Sequence, residues 1–381
     1  MKISIFSFFS GIGFLDLGFE TEGYKIVYVN EYHDPFLKAY QYAREKMHVA
    51  KPIYGYNNGS IENLLDSGND RAIHQHIHTE RRTANLIGFI GGPPCPDFSV
   101  GGKNRGQTGE NGRLSEIYVE LITRIMPDLF LFENVKGLWK TRRHREFYEY
   151  LKTLLKARKY VLTERLINTI EYGAPQDRER IILLGIKSTL VNELCLPFDR
   201  HTMMMANSTF PWLKYAKYPD RTAFTYNWPN RDRFVINSEL PKPQNIPAEL
   251  TVEYWFQNNA VMNHPNTTNC FTPRAGLKRF ISVDEGDDSK KSYKRLHRWR
   301  YSPTAAYGNN EVHLHPYKPR RISVAEALAI QSLPKAFELP QDMSLTDMFK
   351  GTGNGVPYLA AKMIARSLME VVQSGNKIDF Q

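Results

Sequence analysis

Cysteine is scarce in this sequence: only Cys95, Cys195 and Cys270 occur among 381 residues, and no two are spaced as Cys-x-x-Cys. This scarcity excludes a disulfide framework and a cysteine-rich zinc site, and it fits a reducing, cytoplasmic compartment. The chain also lacks the run of about 18 uncharged apolar residues that would cross a bilayer. Asp16 and Glu20 interrupt the apolar amino terminus. We interpret that segment as a buried strand, with a signal peptide as the alternative.

The composition is that of an ordinary globular protein with an excess of positive charge. Hydrophobic residues make up 41%, charged residues 24%, and the mean hydropathy is -0.47, which excludes a disordered, collagen-like or coiled-coil chain. The length predicts two or three domains, or one large domain with an insertion. Fifty Lys and Arg against 40 Asp and Glu give a net charge of +10. This balance suits a polyanionic partner such as nucleic acid.

The first half of the chain alternates short apolar runs with amphipathic stretches. Six runs are interpreted as strands: KISIFSFF, YKIVYVN, LIGFIGG, DLFLFEN, KYVLTERL and RIILLGI. Their continuous apolar character is typical of a parallel sheet covered on both faces. Residues 114–125 and 147–155 show helical spacing, and Asp34 followed by Pro35 predicts a helix cap and first helical residue. Residues 1–187 are therefore predicted to form a doubly wound α/β domain.

Residues 188–335 are predicted to form a second, smaller and irregular domain, because regular periodicity is lost there. Its run 290–300 holds six Lys or Arg with aromatic residues between them, which makes it a candidate for contacts with phosphates and bases. The alternative is a solvated face opposite the acidic run 284–288. Helical spacing returns from Arg321, and residues 336–381 are predicted to return to the first domain through an amphipathic helix entered at Pro357.

A candidate nucleophile, Cys95, follows two glycines and two prolines at the end of a predicted strand. Ligands bind at the carboxyl ends of strands in open α/β sheets, and the prolines restrict the backbone around the thiol. A thiolate is a strong nucleophile. Cys195 and Cys270 have no such setting, and we expect them to be small core residues.

Two further segments carry polar residues suited to catalysis. Glu133 and Asn134 close an apolar strand beside the one that leads to the candidate nucleophile. An acid at the mouth of an apolar site tends to have a raised pKa and can exchange a proton, although a helix-capping acid is the alternative. Gln176, Arg178 and Arg180 alternate before another strand, which predicts a cluster of donors on one side for a phosphate or carbonyl oxygen.

These segments resemble the ordered motifs of the DNA (cytosine-5)-methyltransferase family. FFSGIGFLDLGFE is similar to the family's S-adenosylmethionine motif, PPCPDFS to its nucleophile loop, ENV to its acid motif and QDRER to its Gln-x-Arg-x-Arg motif. PRRISVAEALAIQSLP and GTGNGVP resemble two later motifs, while residues 188–295 are unmatched. Any one motif is weak, but six in the family's order make an accidental match improbable. The implied fold is a Rossmann-like S-adenosylmethionine-dependent methyltransferase domain with a smaller irregular target-recognition domain.

The resemblance implies an enzyme that methylates C5 of a cytosine flipped out of duplex DNA, with S-adenosylmethionine as methyl donor and no metal. It implies that Cys95 adds to C6 of the base and that Glu133 hydrogen-bonds or protonates N3. Arg180 is expected to hold the ring carbonyl. Arg178 is expected to lie nearer a backbone phosphate or the nucleophile loop.

The resemblance also implies where the methyl donor and the DNA are bound. The donor is expected at Phe9, Gly11, Gly13, Glu31, Ser60, Pro94 and Asn354, with the carboxylate of Glu31 on the ribose hydroxyls. Double-stranded DNA is expected at Ser99, Gln176, Lys294, Arg295, Arg298, Arg300 and Thr304. The sequence departs from the family pattern at Ser7, Ser60, Pro96 and Gly355, and none of these changes removes a bond-making residue.

The resemblance further implies a restriction-modification system, a cognate restriction endonuclease as partner, and a place in the bacterial cytoplasm or nucleoid. We expect a monomer, because recognition and catalysis fit in one chain. Two alternatives stay open: a transfer-RNA cytosine-5 methyltransferase of the same fold, and an inactive DNA-binding relative. The basic segment 188–300 favours duplex DNA, and the presence of the catalytic residue types favours an active enzyme.

Two histidine patterns are candidate metal sites. His74, His76 and His78 form His-x-His-x-His, and His313 and His315 form His-x-His. No acidic or cysteine partner stands at ligand spacing. We therefore predict no metal site and expect these histidines to face solvent.

Overall fold

The computed structural model describes residues 2–83, 86–94, 110–206, 208–273, 276–305, 307–308 and 311–374. Cys95, Pro96 and Ser99 of the predicted site lie outside these ranges. The strands are β1 (Ile3–Phe8), β2 (Lys25–Asn30), β3 (Tyr56–Asn57), β4 (Leu86–Gly91), β5 (Leu129–Val135), β6 (Tyr160–Asn168) and β7 (Glu179–Lys187). The helices are α1 (Phe14–Thr21), α2 (Asp34–Lys46), α3 (Ser67–Arg81), α4 (Glu110–Ile125), α5 (Lys136–Lys140), α6 (Arg142–Ala157), α7 (Ser188–Glu193), α8 (Val252–Asn258), α9 (Leu277–Ile281), α10 (Val324–Ile330), α11 (Leu345–Asn354) and α12 (Tyr358–Ser374).

One mixed sheet organises the first half of the chain, with strand order β3-β2-β1-β4-β5-β7-β6. All six predicted strands are present, and the two-residue β3 was missed because it is too short to show a pattern. Strands β1 to β5 run parallel to one another, whereas β7 lies antiparallel between β5 and β6. The expectation of a parallel sheet is therefore wrong for β7, which is reversed and makes both of its pairings antiparallel. Apolar runs report burial but carry no information on strand direction.

Side chains alternate along the strands and build a core on each face of the sheet. One core packs the sheet against α1, α2, α7 and the carboxyl-terminal α12. The other packs it against α3, α4 and α6. This arrangement confirms a doubly wound α/β fold. The Tyr24 hydroxyl also donates to the backbone oxygen of Ala365 in α12 at 2.9 Å, so the end of the chain lies against its beginning.

The start of α2 differs by one residue from its prediction. The helix begins at Asp34, and His33 is the capping residue, with extended backbone and no capping bond from its side chain. Pro35 still lies in the first turn, where its missing N–H has no cost. Asp34 instead forms an ion pair with Lys38, one turn along the helix, at 2.7 Å.

The chain from α7 to α10 contains only short helical segments and isolated bridges among its described residues. A third core joins it to the first half, since Phe14 and Phe36 pack with Trp255, Leu328 and Phe349. This shared core crosses the predicted boundary at residue 187. The division into residues 1–187, 188–335 and 336–381 stays a prediction. No helix in the described ranges is long and apolar enough to cross a membrane.

Two expectations about side-chain exposure are wrong. His313 and His315 are each 1% exposed, whereas His74 and His78 face solvent on α3 as expected. The His315 ring can be buried because protein groups satisfy its hydrogen bonding: its Nδ1 accepts from the backbone N–H groups of residues 317 and 318. Cys195 is exposed rather than in a core, and Cys270 is only partly buried.

Gly185 marks the tightest packing within the sheet and gives a test of it. It pairs with Phe130 of β5, and a Cβ atom at residue 185 would overlap the Phe130 ring. We expect Gly185→Ala to lower the free energy of unfolding by about 1–3 kcal/mol, the usual cost of overpacking a core. Urea unfolding measures the change. Gly68→Ala is the matched control, because that glycine has open space around it on α3; equal stability of the two variants would contradict the packing argument.

Candidate active site

A buried acid and an arginine meet where β5 ends and β7 begins. The antiparallel register places Arg180 opposite Val135, and Arg180 Nε lies 3.0 Å from Glu133 Oε1. Both side chains are only 11% exposed. Burial raises the pKa of Glu133 above its ordinary value, although the charges of Arg180 and Arg178 oppose this shift. A carboxyl group in this setting is able to hold a proton and to exchange it with a bound molecule.

The segment that leads to Cys95 lies against this acid. A Cβ atom at Gly92 would come within 2.6 Å of Glu133 Oε2, so only glycine allows this approach. The Asn134 amide donates to the backbone oxygen of Pro93 at 3.4 Å. Cys95 itself is outside the described residues. The backbone two residues before it is nevertheless bonded to the strand that carries Glu133.

Arg178 is fully buried and joins three distant parts of the chain. Its Nη1 donates to the backbone oxygen of Ala305 at 2.9 Å, and its Nη2 donates to that of Gly353 at 2.8 Å and that of Asn354 at 3.3 Å. Burial holds the pKa of Arg178 well below its ordinary value, and the charge of Arg180 acts in the same direction. The predicted one-sided donor cluster is therefore wrong in detail, because Arg178 and Arg180 point to different partners.

The predicted methyl-donor residues gather at the carboxyl ends of β1 to β4. Phe9, Gly11 and Gly13 all have positive φ, at 51°, 56° and 90°, and a Cβ atom at Gly11 would meet nothing within 4 Å. This left-handed turn leaves open space at Gly11, beside the carboxyl end of β1. Glu31 accepts from the backbone N–H of Gly11 and of His33, each at 2.8 Å. Each carboxylate oxygen keeps a second lone pair that can accept from a ribose hydroxyl.

The other predicted donor residues, Ser60, Pro94 and Asn354, stay predicted contacts. The Ser60 hydroxyl caps the short 3-10 helix Ile61–Leu65 by accepting from the N–H of Glu62, and Pro94 and Asn354 are exposed. At the departure Ser7, the hydroxyl donates to Asp16 at 2.8 Å. The carboxylate of Asp16, from α1, thus lies beside Ser7 at the end of β1.

One supporting contact was missed by the sequence analysis. His33 Nε2 lies 2.9 Å from Asp347 Oδ1, which ties the loop after Glu31 to α11, the helix that ends at Asn354. The two residues are separated by 314 positions. No local spacing could have signalled this pair.

The structure contradicts three of the predicted DNA contacts. Gln176 is 0% exposed, its oxygen accepts from the Ala305 N–H and its amide faces Gln331. Arg295 is 0% exposed and donates to backbone oxygens, including that of Val283. Arg298 is 4% exposed and forms an ion pair with Glu285 at 2.8 Å. Their donors are used inside the protein, so they offer nothing to a phosphate on the surface.

The remaining predicted DNA contacts are partly exposed. Lys294, Arg300 and Thr304 all keep some access to solvent. Arg300 lies 3.3 Å from Asp288, so the basic run 290–300 does meet the acidic run 284–288, as the alternative predicted. The Arg298–Glu285 pair of the same two runs is buried, so this part of the contact lies in the interior and not in solvent. The Thr304 hydroxyl donates to the backbone oxygen of Asp177 at 2.6 Å. The described residues contain no cluster of His, Cys, Asp or Glu suited to a metal ion.

Comparisons with known sequences place the chain among similar proteins. The family model for C-5 cytosine-specific DNA methylases matches residues 3–370. The chain is 55% identical to the Type II methyltransferase M.NmeDI of Neisseria meningitidis serogroup C, over 98% of this chain and 85% of that protein. It is 28% identical to the Type II methyltransferase M.FnuDI of Fusobacterium nucleatum, over 99% of this chain and 97% of that protein.

Solved structures agree on the fold. A crystal structure described as a prophage-encoded DNA modification methyltransferase of E. coli superposes with a TM-score of 0.62 at 20% identity, covering 98% of this chain and all of that one. A DNMT2 variant of Spodoptera frugiperda gives 0.58 at 16% identity, covering 97% and 99%. At these identities the likeness concerns the fold alone.

The bridging role of Arg178 can be tested by stability. We expect Arg178→Met to lower the free energy of unfolding by about 2–5 kcal/mol, because buried backbone oxygens lose their donors. Urea unfolding measures the loss. Arg142→Met is the control, since Arg142 is 96% exposed and pairs only within its own helix. An Arg178→Met protein as stable as this control would show that the three segments do not depend on the guanidinium.

Proposed function

This chain belongs to the family of C-5 cytosine-specific DNA methylases and is a DNA (cytosine-5)-methyltransferase; from that premise we propose how its residues divide the work. The observation that carries the proposal is the buried Glu133, paired with Arg180, at the carboxyl ends of the strands. An acid with a raised pKa in this position suits protonation of N3 in a cytosine ring.

The proposed mechanism assigns one step to each residue. The target cytosine leaves the stack and enters the site, because its C5 atom is inaccessible within a duplex. The Cys95 thiolate adds to C6 while Glu133 hydrogen-bonds or protonates N3, which makes C5 nucleophilic. S-adenosylmethionine, when bound, supplies the methyl group to C5. Water then takes the C5 proton, the Cys95 thiolate is expelled, and N3 returns any proton it received to Glu133, which restores the ring.

The two arginines have different parts in this proposal. Arg180 lies beside Glu133 and donates to the ring carbonyl of the base. Arg178 acts as a positioning residue, because its donors go to the backbone at residues 305, 353 and 354. It holds the segment that carries Asn354 against the catalytic strands.

The methyl donor is assigned to the open space at the carboxyl ends of β1 to β4. The left-handed turn with Phe9, Gly11 and Gly13 gives room for it, and Glu31 holds acceptor capacity for the ribose. Ser60, Pro94 and Asn354 complete the border. These residues fit an adenosyl group, and they are proposed contacts of the donor.

The DNA is proposed to lie between the sheet edge and the irregular region. Ser99, Lys294, Arg300 and Thr304 remain its proposed contacts, and residues 188–335 its recognition domain. Because the relatives at 55% and 28% identity are named Type II methyltransferases, we propose a place in a restriction-modification system with a cognate endonuclease, in the bacterial cytoplasm or nucleoid. The enzyme is proposed to act as a monomer.

Replacing the nucleophile tests the central step. We expect Cys95→Ser to abolish methyl transfer and to leave DNA binding largely unchanged, since a hydroxyl is a far weaker nucleophile than a thiolate. The measurement is transfer of radiolabelled methyl from S-adenosylmethionine to duplex DNA and, in parallel, to transfer RNA, with bisulfite sequencing of the DNA. Turnover by Cys95→Ser, or label on RNA alone, would contradict the proposal.

Replacing the acid tests the protonation step. We expect Glu133→Gln to lower kcat by about 10²–10⁴-fold, the usual contribution of a general acid, while the Kd for DNA changes little. Gln keeps the shape and can still accept from Arg180. Glu146→Gln serves as control, because Glu146 is 70% exposed and pairs with Arg142 on α6. An unchanged kcat in a folded Glu133→Gln protein would remove the acid from the mechanism.

A further inference from the structure

A second carboxylate beside the active site is surrounded by positive side chains. Glu179 Oε2 lies 2.8 Å from Lys136 Nζ, and its Oε1 lies 3.5 Å from Lys140 Nζ and 4.0 Å from Arg221 Nη1. The acid is 14% exposed, whereas the three cations are 48%, 54% and 64% exposed. We call Glu179, Lys136, Lys140 and Arg221 the Glu179 cation cluster.

The cluster carries more positive charge than its own acid neutralises. Three cations face one carboxylate, which leaves a formal excess of two positive charges. Burial would raise the pKa of Glu179, but the hydrogen bond from Lys136 and the surrounding cations lower it below its ordinary value. The nearby Asp220 is itself paired, with Arg165 Nη2 at 3.6 Å. The excess charge is therefore left for a group outside the protein.

Arg221 is held in the cluster by an unusual backbone. Asp220 and Arg221 both have positive φ, at 52° and 64°, a conformation that is unfavourable for residues other than glycine. The turn is fixed because the N–H of Arg221 donates to Glu171 at 3.2 Å. The guanidinium also lies 5.0 Å from the centre of the Phe224 ring. Such strain is typical of functional positions.

The cluster adjoins the catalytic pair. Glu179 is the residue before Arg180, whose Nη1 donates to the backbone oxygen of Glu179 at 2.8 Å. Lys136 and Lys140 lie on α5, which begins directly after the strand with Glu133. On the side of the cluster away from α5, Phe224 contacts the Arg221 guanidinium and packs on Tyr301, with the two ring centres 5.3 Å apart. Tyr301 lies three residues before Thr304. The cluster thus stands between the acid and the irregular region.

We propose that Lys136, Lys140 and Arg221 bind the phosphodiester backbone of the DNA substrate beside the cytosine that enters the site. The inference rests on the proposed function, because it takes duplex DNA as the ligand. The phosphates that flank an extruded nucleotide must lie at the mouth of its pocket. The exposed cations of the cluster adjoin Arg180 of the catalytic pair through Glu179, whereas Arg295 and Arg298 of the basic run are buried.

A comparable cluster at the opposite edge of the sheet provides a control. Asp128, just before β5, is 13% exposed and lies 3.0 Å from Arg81 Nη2 and 3.4 Å from Lys187 Nζ. These residues stand where β4 and β5 begin, away from Glu133. The two clusters share their chemistry and differ in their distance from the active site.

The salt dependence of DNA binding tests the proposal. The probe is a fluorescently labelled, unmethylated duplex of mixed sequence, titrated by anisotropy from about 50 to 200 mM salt. Each lost phosphate contact reduces the slope of log K against log salt by about 0.9. We therefore expect Lys140→Ala and Arg221→Ala each to reduce the slope by about 0.9. The double variant should lose about 1.8. Lys136 remains in place to neutralise Glu179.

Two comparison variants make the outcome decisive. Arg81→Ala should keep the wild-type slope, and Lys140→Arg should keep it because the charge is retained. Equal slopes for Arg221→Ala, Arg81→Ala and the wild type would overturn the proposal, as would a fall in slope for Lys140→Arg equal to that for Lys140→Ala. The readout needs no methyl transfer. A slope unchanged in the cluster variants, with methyl transfer intact in the wild type, therefore rejects the cluster alone. A slope lowered in those variants, with no methyl transfer by the wild type, rejects the proposed chemistry alone.

Discussion

The assembly of this enzyme depends on the burial of one guanidinium group. Among the described residues, Arg178 Nη1 and Nη2 donate to backbone oxygens of residue 305 and of residues 353 and 354, while its Nε has no partner. A buried charge without hydrogen bonds would be costly. All three segments must therefore be in place together before Arg178 can be buried. This requirement couples the strands that carry Glu133 to the irregular region and to the helix with Asn354.

The direction of β7 decides where the catalytic residues meet. β7 is inserted antiparallel beside β5, so its first residues lie at the carboxyl end of β5. Arg180 therefore reaches Glu133. A parallel β7 would have placed Arg180 at the opposite edge, where Asp128 stands. The same reversal places Glu179 beside α5. The Glu133–Arg180 pair and the Glu179 cation cluster therefore both follow from the direction of β7.

The sequence predicted what depends on local pattern and failed where distant partners decide. Six strands and the helices at residues 114–125 and 147–155 follow from apolar spacing, and Glu133 was recognised at its strand end. The reversal of β7 was not visible, because buried strands look alike in either direction. Arg295 and Arg298 looked like surface charges until the structure placed them against Val283 and Glu285. No rule of spacing could have paired His33 with Asp347 across the length of the chain.

The burial of these arginines has a cause in the irregular region itself. Where strands and long helices are few, backbone oxygens lack the N–H partners that regular structure supplies. A guanidinium offers five donors and no acceptor, so one arginine can satisfy several such oxygens. Arg295 donates to the backbone of Val283, Phe280 and His315, and Arg321 to that of Val312 and Ser292. A count of basic residues in such a region therefore overstates the charge that it presents to DNA. The Glu179 cation cluster adds exposed positive charge beside the catalytic strands.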